Sequence, residues 1–182
     1  MPQSISARRL ILIAVVQFTV ATGAVTAQTS SGAAFTPVTD AMLQDPAPED
    51  WLMWRRTLDG WGYSPLNQVT RDNVGDLRMV WTRALNRGSQ QGTPLAYDGV
   101  LYMPNPRDVI QAIDATTGDL LWEHRREVPE NVGAGGLVTN NRNIAIYDTS
   151  IIDTSIDGYV FALDANTGDM TWETEILDYE TY

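Results

Sequence analysis

The chain has 182 residues, a formal net charge of −11, one histidine, no cysteine and, on inspection, no lysine. Phosphate recognition rests on a cationic face, so polyanion binding is excluded as its main business. Also excluded within these residues are a lysine Schiff base, disulfides, thiolate metal sites and c-type haem attachment, and with His124 alone there is neither a Ser-His-Asp triad nor a histidine metal cluster.

The chain opens with Arg8-Arg9 and the apolar run Leu10–Ala21, and small residues follow to Val25-Thr-Ala27. A basic start, an apolar stretch of about 7–15 residues and a small-x-small exit is the layout of a secretory signal peptide. Residues 1–27 are therefore expected to be an export signal. A retained anchor is the alternative, but the run falls short of the ~20 residues that span a bilayer, and Gln17 and Thr19 interrupt it. Residues 28–50 are rich in Ser, Thr, Ala and Pro and read as a flexible mature N-terminus. From Trp51 to Trp81 aromatics and turn formers crowd together (Trp54, Trp61, Tyr63, Pro65). This stretch reads as an arm packed on a larger body, passing into a strand over Leu77–Leu85.

Beyond it the chain repeats itself. Ala112-Ile-Asp-Ala-Thr-Thr-Gly-Asp-Leu-Leu-Trp122 aligns with Ala162-Leu-Asp-Ala-Asn-Thr-Gly-Asp-Met-Thr-Trp172, seven of eleven positions identical at an offset of 50. A period of this size marks a propeller or solenoid. Each unit resolves into four short strands: Thr93–Tyr97, Val100–Met103, Val109–Asp114 and Leu120–Arg125, then Ile144–Tyr147, Ile151–Thr154, Tyr159–Asp164 and Met170–Ile176. Asp98-Gly99 and Asp157-Gly158 are tight-turn signals. Asp114 and Asp164 suit bonding to the backbone of the following turn, where Gly118 and Gly168 supply a positive φ. Four residues after each glycine comes a Trp suited to packing on the next blade, burying ~150–250 Å², and Trp81 would be the same element one blade earlier. Radially repeated four-stranded sheets make a β-propeller. The visible chain amounts to about two and a half blades, which leaves open faces and reads as part of a larger propeller.

Other groupings carry less. His124 beside Trp122 reads as a satisfied surface or interblade histidine, and Glu173 with Glu175 as a solvated strand face. Gly133–Gly136 is no phosphate loop, since no Lys and no helical pattern follow.

Three features together resemble the N-terminal part of the quinoprotein alcohol dehydrogenases, the periplasmic PQQ-dependent methanol and ethanol dehydrogenases. They are the arm (Trp51, Trp54-Arg-Arg56, Trp61-Gly-Tyr-Ser-Pro-Leu66, Asn73-Val74, Leu77, Trp81), the segment Gln90-Gln-Gly-Thr-Pro-Leu95, and the tryptophan-docking repeats. The resemblance covers residues 51–182 and implies an all-β fold, the beginning of an eight-bladed propeller. It also implies a PQQ cofactor coordinated to Ca²⁺ or a lanthanide, oxidation of a primary alcohol to an aldehyde, and electron transfer to a cytochrome c. Two cofactor-binding positions are implied. Gln91 stands where many members have a Glu, and its amide can donate to an anion without adding charge repulsion. Arg142, in the pair Asn141-Arg142, matches a cofactor-binding Arg whose planar fork suits a carboxylate. The alternatives are an ordinary polar loop residue for Gln91 and a surface ion pair for Arg142. Where many members carry adjacent cysteines over the cofactor, this sequence has Gly133-Ala-Gly-Gly-Leu137. The family's metal ligands and catalytic carboxylate fall after Tyr182, so no catalytic or metal-binding residue is assigned here. The reading from another class is a non-catalytic PQQ-type propeller acting as an assembly scaffold. It would share the repeats but need neither the arm nor Gln90–Leu95.

Export is directly testable. Protein made in a Gram-negative host should yield an N-terminal sequence beginning at Gln28, and a product that keeps Met1 or Pro2 would refute cleavage after Ala27.

Overall fold

The computed structural model describes residues 35–129, 131–132 and 142–181. The expected export signal at 1–27, the stretch Gly133–Leu137 and Asn141 lie outside the described residues. The described chain forms two four-stranded antiparallel sheets, each in simple sequential order. The first holds β1 (Leu95–Tyr97), β2 (Val100–Asn105), β3 (Val109–Asp114) and β4 (Leu120–Arg125). The second holds β5 (Ala145–Tyr147), β6 (Ser150–Thr154), β7 (Tyr159–Asp164) and β8 (Met170–Glu175). Each strand of the second sheet begins 50 residues after its counterpart, so the sequence period is the structural period.

Local chemistry explains the turns. Asp98 and Gly99 both take positive φ, at 47° and 75°, the geometry that matches a two-residue hairpin to the twist of its strands. Between β3 and β4 the Asp114 carboxylate accepts from the amides of Thr116 and Thr117 at 2.7 and 2.9 Å, and Asp164 repeats this with Asn166 and Thr167 at 2.9 Å each. These amide bonds, that of Thr117 first, hold the Asp114 carboxyl below its usual range. In the register, small Ala112 and Ala162 lie opposite Trp122 and Trp172, and a bulge follows each alanine.

The sheets are joined by contacts between repeats. The Trp122 indole donates from Nε1 to the Ala165 carbonyl at 3.0 Å, and Trp81 makes the equivalent bond to Ala115 at 3.0 Å. A Cβ on Gly168 would sit 2.6 Å from the Trp122 ring, and one on Gly118 would sit 2.6 Å from Trp81. The glycine thus serves two needs: its φ of +77° and the close approach of the preceding repeat's indole. Two residues after each Trp, a side chain reaches the same glycine's carbonyl: Arg83 Nη1 to Gly118 at 3.3 Å, and His124 Nδ1 with Gly168 at 3.1 Å. Tyr102 adds a hydroxyl bond to Ala165 at 3.1 Å.

A charged cluster closes the same junction. Arg126, almost wholly buried, pairs with Asp157 at 3.1 Å and with Glu173, its guanidinium 4.7 Å from the centre of the Tyr159 ring. Buried Asp108 accepts from the Ser155 hydroxyl at 2.6 Å, and burial pushes its carboxyl above the usual range despite that bond. Glu173, read from sequence as solvated, is therefore half of an interblade ion pair. Trp172, on the fully exposed strand β8, is 44% exposed.

Two stretches differ from the sequence reading. Residues 35–50, within the stretch read as a flexible terminus, are packed. Val38 and Asp148 exchange backbone bonds at 2.8 and 2.9 Å, Trp51 and Ala96 do so at 2.8 and 3.0 Å, and the Tyr97 hydroxyl donates to the Thr36 carbonyl at 2.9 Å. Between these points lies a short helix, α1 (Asp40–Gln44), capped by Thr39. Val38 and Leu52 are fully buried. Phe35, Met42 and Leu43 also pack against the core, so scattered apolar residues anchor a segment whose composition is otherwise that of a loop. The expected strand Leu77–Leu85 forms no ladder among the described residues, because a strand needs a hydrogen-bonded neighbour and the stretch is docked through the side chains of Trp81 and Arg83. The arm is likewise split: Leu52 is buried, whereas Trp61 is 79% exposed.

Trp122 is buried against Tyr102 and the second sheet. Trp122→Ala should cost about 3–5 kcal/mol, as for other large buried aromatics, measured by denaturant unfolding of the whole protein. A loss under about 1 kcal/mol would show that the docking is not structural. A second test concerns pH. The Gly168 carbonyl only accepts, so His124 carries its proton on Nδ1, and its Nε2 is buried without a partner. Burial holds the imidazole below the ordinary histidine value of about 6.5. The unfolded chain therefore binds more protons than the folded one as pH falls through that value, and stability is lost on the acid side. In His124→Gln the drop in Tm between neutral pH and pH ~5.5 should be smaller than in the parent, and an equal drop would refute the assignment.

Candidate functional site

The two positions singled out from sequence, 51 residues apart, are brought together. Arg142 Nε donates to Gln91 Oε1 at 3.0 Å, and the Arg142 carbonyl accepts from the Thr93 amide at 2.9 Å. Both residues sit on the segments entering β1 and β5, at nearly equivalent points of consecutive blades. Side-chain and backbone bonds thus tie one entry segment to the next.

The geometry defines what the pair can do. Gln91 uses its carbonyl oxygen as acceptor, which turns its amide nitrogen outward, where the nearest acceptor is the Ser89 hydroxyl at a marginal 3.5 Å. The contact is solvent-exposed. A neutral amide orients the guanidinium without cancelling its charge, so the pair presents a cation beside an amide donor. That combination suits a carboxylate-bearing ligand. The neighbouring Gln90 turns the other way, to Asn86 and the buried Asn105. Gly92 makes this turn possible, since a Cβ there would lie 2.6 Å from the Pro104 carbonyl oxygen.

Residues 51–174 match the family described as "Glucose/ethanol/alcohol dehydrogenase, beta-propeller domain". The chain belongs to this family. The dehydrogenase subunit of the quinone alcohol dehydrogenase of Gluconacetobacter polyoxogenes is 40% identical over 122 residues, covering 65% of this chain and 16% of that protein. The 1-butanol dehydrogenase (cytochrome c) of Thauera butanivorans is 38% identical over 107 residues, covering 57% and 15%. Among solved structures, the quinohemoprotein alcohol dehydrogenase ADHIIG of Pseudomonas putida HK5 superposes with a TM-score of 0.70 at 31% identity, covering 81% of this chain and 22% of that one. The chain spans about a sixth of the length of the curated relatives it matches.

Seen as a propeller dehydrogenase domain, the described residues hold no group of three or more His, Asp or Glu side chains placed for a metal ion. No described helix is long and apolar enough to cross a membrane. Sequence reasoning missed Asn105 and Gln111, which are buried polar residues behind the Gln91 loop. Their signal was a polar residue at the end of one buried strand and another inside the next, each out of keeping with its apolar neighbours.

Proposed function

We propose that this chain supplies one side of a PQQ-binding site in a periplasmic alcohol dehydrogenase. The reading is oxidation of a primary alcohol to an aldehyde, with electrons passed to a cytochrome c. The observation that carries it is the bond between Arg142 and Gln91, an exposed cation and amide held on adjacent blades. Support comes from family membership over residues 51–174 and from relatives named as quinone-linked and cytochrome-c-linked alcohol dehydrogenases.

On this reading Arg142 binds a carboxylate of the cofactor, and Gln91 fixes the plane of the guanidinium while offering its own N–H. PQQ, with Ca²⁺ or a lanthanide beside it, supplies the hydride acceptor when bound, and the protein supplies position and polarity. Both residues belong to segments tied together by the Thr93 to Arg142 backbone bond, so they offer a preformed edge. The reading places neither metal ligands nor the catalytic base within residues 28–182.

The test uses the whole protein that carries this chain, titrated with PQQ in the presence of Ca²⁺ or a lanthanide. Arg142→Ala should keep the fold and weaken PQQ binding by about 2–5 kcal/mol, since a bound cofactor would cover the pair and the change leaves its carboxylate unpaired. Arg142→Lys should restore only part of this, because a point charge cannot make a forked contact. Gln91→Glu should matter less, since a carboxylate also accepts from the Arg142 Nε. Parental PQQ affinity in Arg142→Ala would remove this residue from the site. A parent protein that binds no PQQ would leave the scaffold reading in its place.

A further inference from the structure

Asn105, the last residue of β2, is completely buried. Its Oδ1 accepts from Gln90 Nε2 at 3.1 Å and from the Asn86 amide at 3.4 Å. Its Nδ2 donates to Gln111 Oε1 at 3.3 Å and to the Met103 carbonyl at 3.1 Å. Gln111, itself buried in β3, donates from Nε2 to Glu123 Oε2 at 2.7 Å, on its register partner in β4. Glu123 also accepts from Arg125 at 3.0 Å, and Arg125 reaches back to Asn86 Oδ1 at 3.3 Å. The side chains form a closed ring that starts at the loop before β1, crosses the blade to β4 and returns to that loop.

The ring has a direction. A carboxylate can only accept, so Gln111 must face Glu123 with its nitrogen, and its oxygen is left for Asn105. Asn105 then meets Gln111 with nitrogen and Gln90 with oxygen. The Gln111 hydrogen bond holds the Glu123 carboxyl below its usual range, so the end of the relay stays charged. Glu123 sets the orientation of Gln111, the Met103 carbonyl and the Asn86 amide set that of Asn105 in the same sense, and charge-anchored buried chains of this kind are strengthened by mutual polarisation.

What the relay holds is the loop carrying Gln91. Around it, a Cβ on Gly88 would come within 2.8 Å of Pro106 and one on Gly92 within 2.6 Å of Pro104, so the loop lies flush against the residues that flank Asn105. We infer that Asn105 is a positioning residue for the quinone site: through Gln90 and the Asn86 amide it fixes the loop that sets Gln91 against Arg142, with Glu123 orienting Gln111 behind it. This inference rests on the PQQ reading above.

Asn105→Asp keeps the shape and removes both N–H bonds, to Gln111 Oε1 and to the Met103 carbonyl. The new carboxylate still accepts from Gln90 but has nothing to give Gln111, which cannot turn without setting its own carbonyl against Glu123. In the whole protein, hydrogen-exchange protection over residues 86–92 and PQQ affinity should each fall by about tenfold or more, as for the loss of buried hydrogen bonds. Adding Glu123→Gln supplies an amide that can donate to Gln111, so the relay can run in reverse toward position 105. The double variant should recover part of both quantities, the share owed to Gln111, while the bond to the Met103 carbonyl stays lost, the coupling expected of groups in one network. Unchanged PQQ affinity in Asn105→Asp, whatever the exchange rates do, overturns the positioning role. A double variant no better than Asn105→Asp alone overturns the assigned link from Asn105 through Gln111 to Glu123. A parent that binds no PQQ overturns the quinone reading instead, and exchange at 86–92 then separately decides whether the relay holds the loop.

Discussion

Everything in this structure depends on an indole of one repeat lying on the glycine of the next. The contact occurs twice among the described residues, Trp81 on Gly118 and Trp122 on Gly168, with the indole nitrogen bonded to the carbonyl of Ala115 or Ala165 in each case. Three requirements meet at one point: a left-handed glycine to close the turn, the absence of a Cβ to let the ring approach, and a free carbonyl to receive the N–H. Any side chain at Gly168 would fail the first two together. A tryptophan in this setting buries ~150–250 Å², which a four-stranded sheet cannot do within itself, so each sheet requires its neighbour.

That junction also builds the candidate site. Because docking repeats every 50 residues, equivalent points on successive blades become spatial neighbours. Gln91 and Arg142, 51 residues apart, are such a pair. The backbone bond from Thr93 to Arg142 runs between the same two entry segments. No long-range fold argument is needed to explain why two residues so far apart in sequence touch. The docked tryptophans bring the blades side by side, and the ionic cluster of Arg126, Asp157 and Glu173 closes the outer part of the same seam.

The strands were legible because their signals are local. Turn chemistry at Asp98-Gly99 and Asp114 to Gly118, plus the period of 50, located all eight with shifts of at most two residues at their ends. What was not legible depends on contacts between distant segments. Residues 35–50 carry loop-like composition, and contacts with distant residues, among them Val38 with Asp148, Thr36 with Tyr97 and Trp51 with Ala96, make them part of the body. Trp81 was recognised as a docking residue, yet its surroundings lack the ladder that would make Leu77–Leu85 a strand. At the site, Gln91 and Arg142 came from a family resemblance, and physical reasoning on the sequence alone would have ranked neither above other polar residues. Asn105 and Gln111 illustrate the limit. A buried amide becomes informative only when its partners are known, and those partners lie on three other segments.

The identity of residue 91 has an electrostatic consequence. Many family members are expected to place a carboxylate there, and a carboxylate 3.0 Å from the Arg142 Nε would form an ion pair of zero net charge. With glutamine the same hydrogen bond is made, but the guanidinium keeps its full positive charge. In a chain whose formal charge is −11, a cation held by a neutral partner is a local exception to a field that otherwise repels anions. An amide is also indifferent to pH across the range where a glutamate would protonate, so the orientation of Arg142 does not depend on the ionisation of its neighbour. Glutamine at this position therefore trades some attraction between the two side chains for a site that remains cationic over a wider range of conditions. The same choice of a neutral amide over a carboxylate recurs at Gln90, Asn105 and Gln111. Along that line the one charge, on Glu123 at the far end, orients Gln111, while main-chain groups orient Asn105, so the loop is held without placing a negative charge next to the cation it supports.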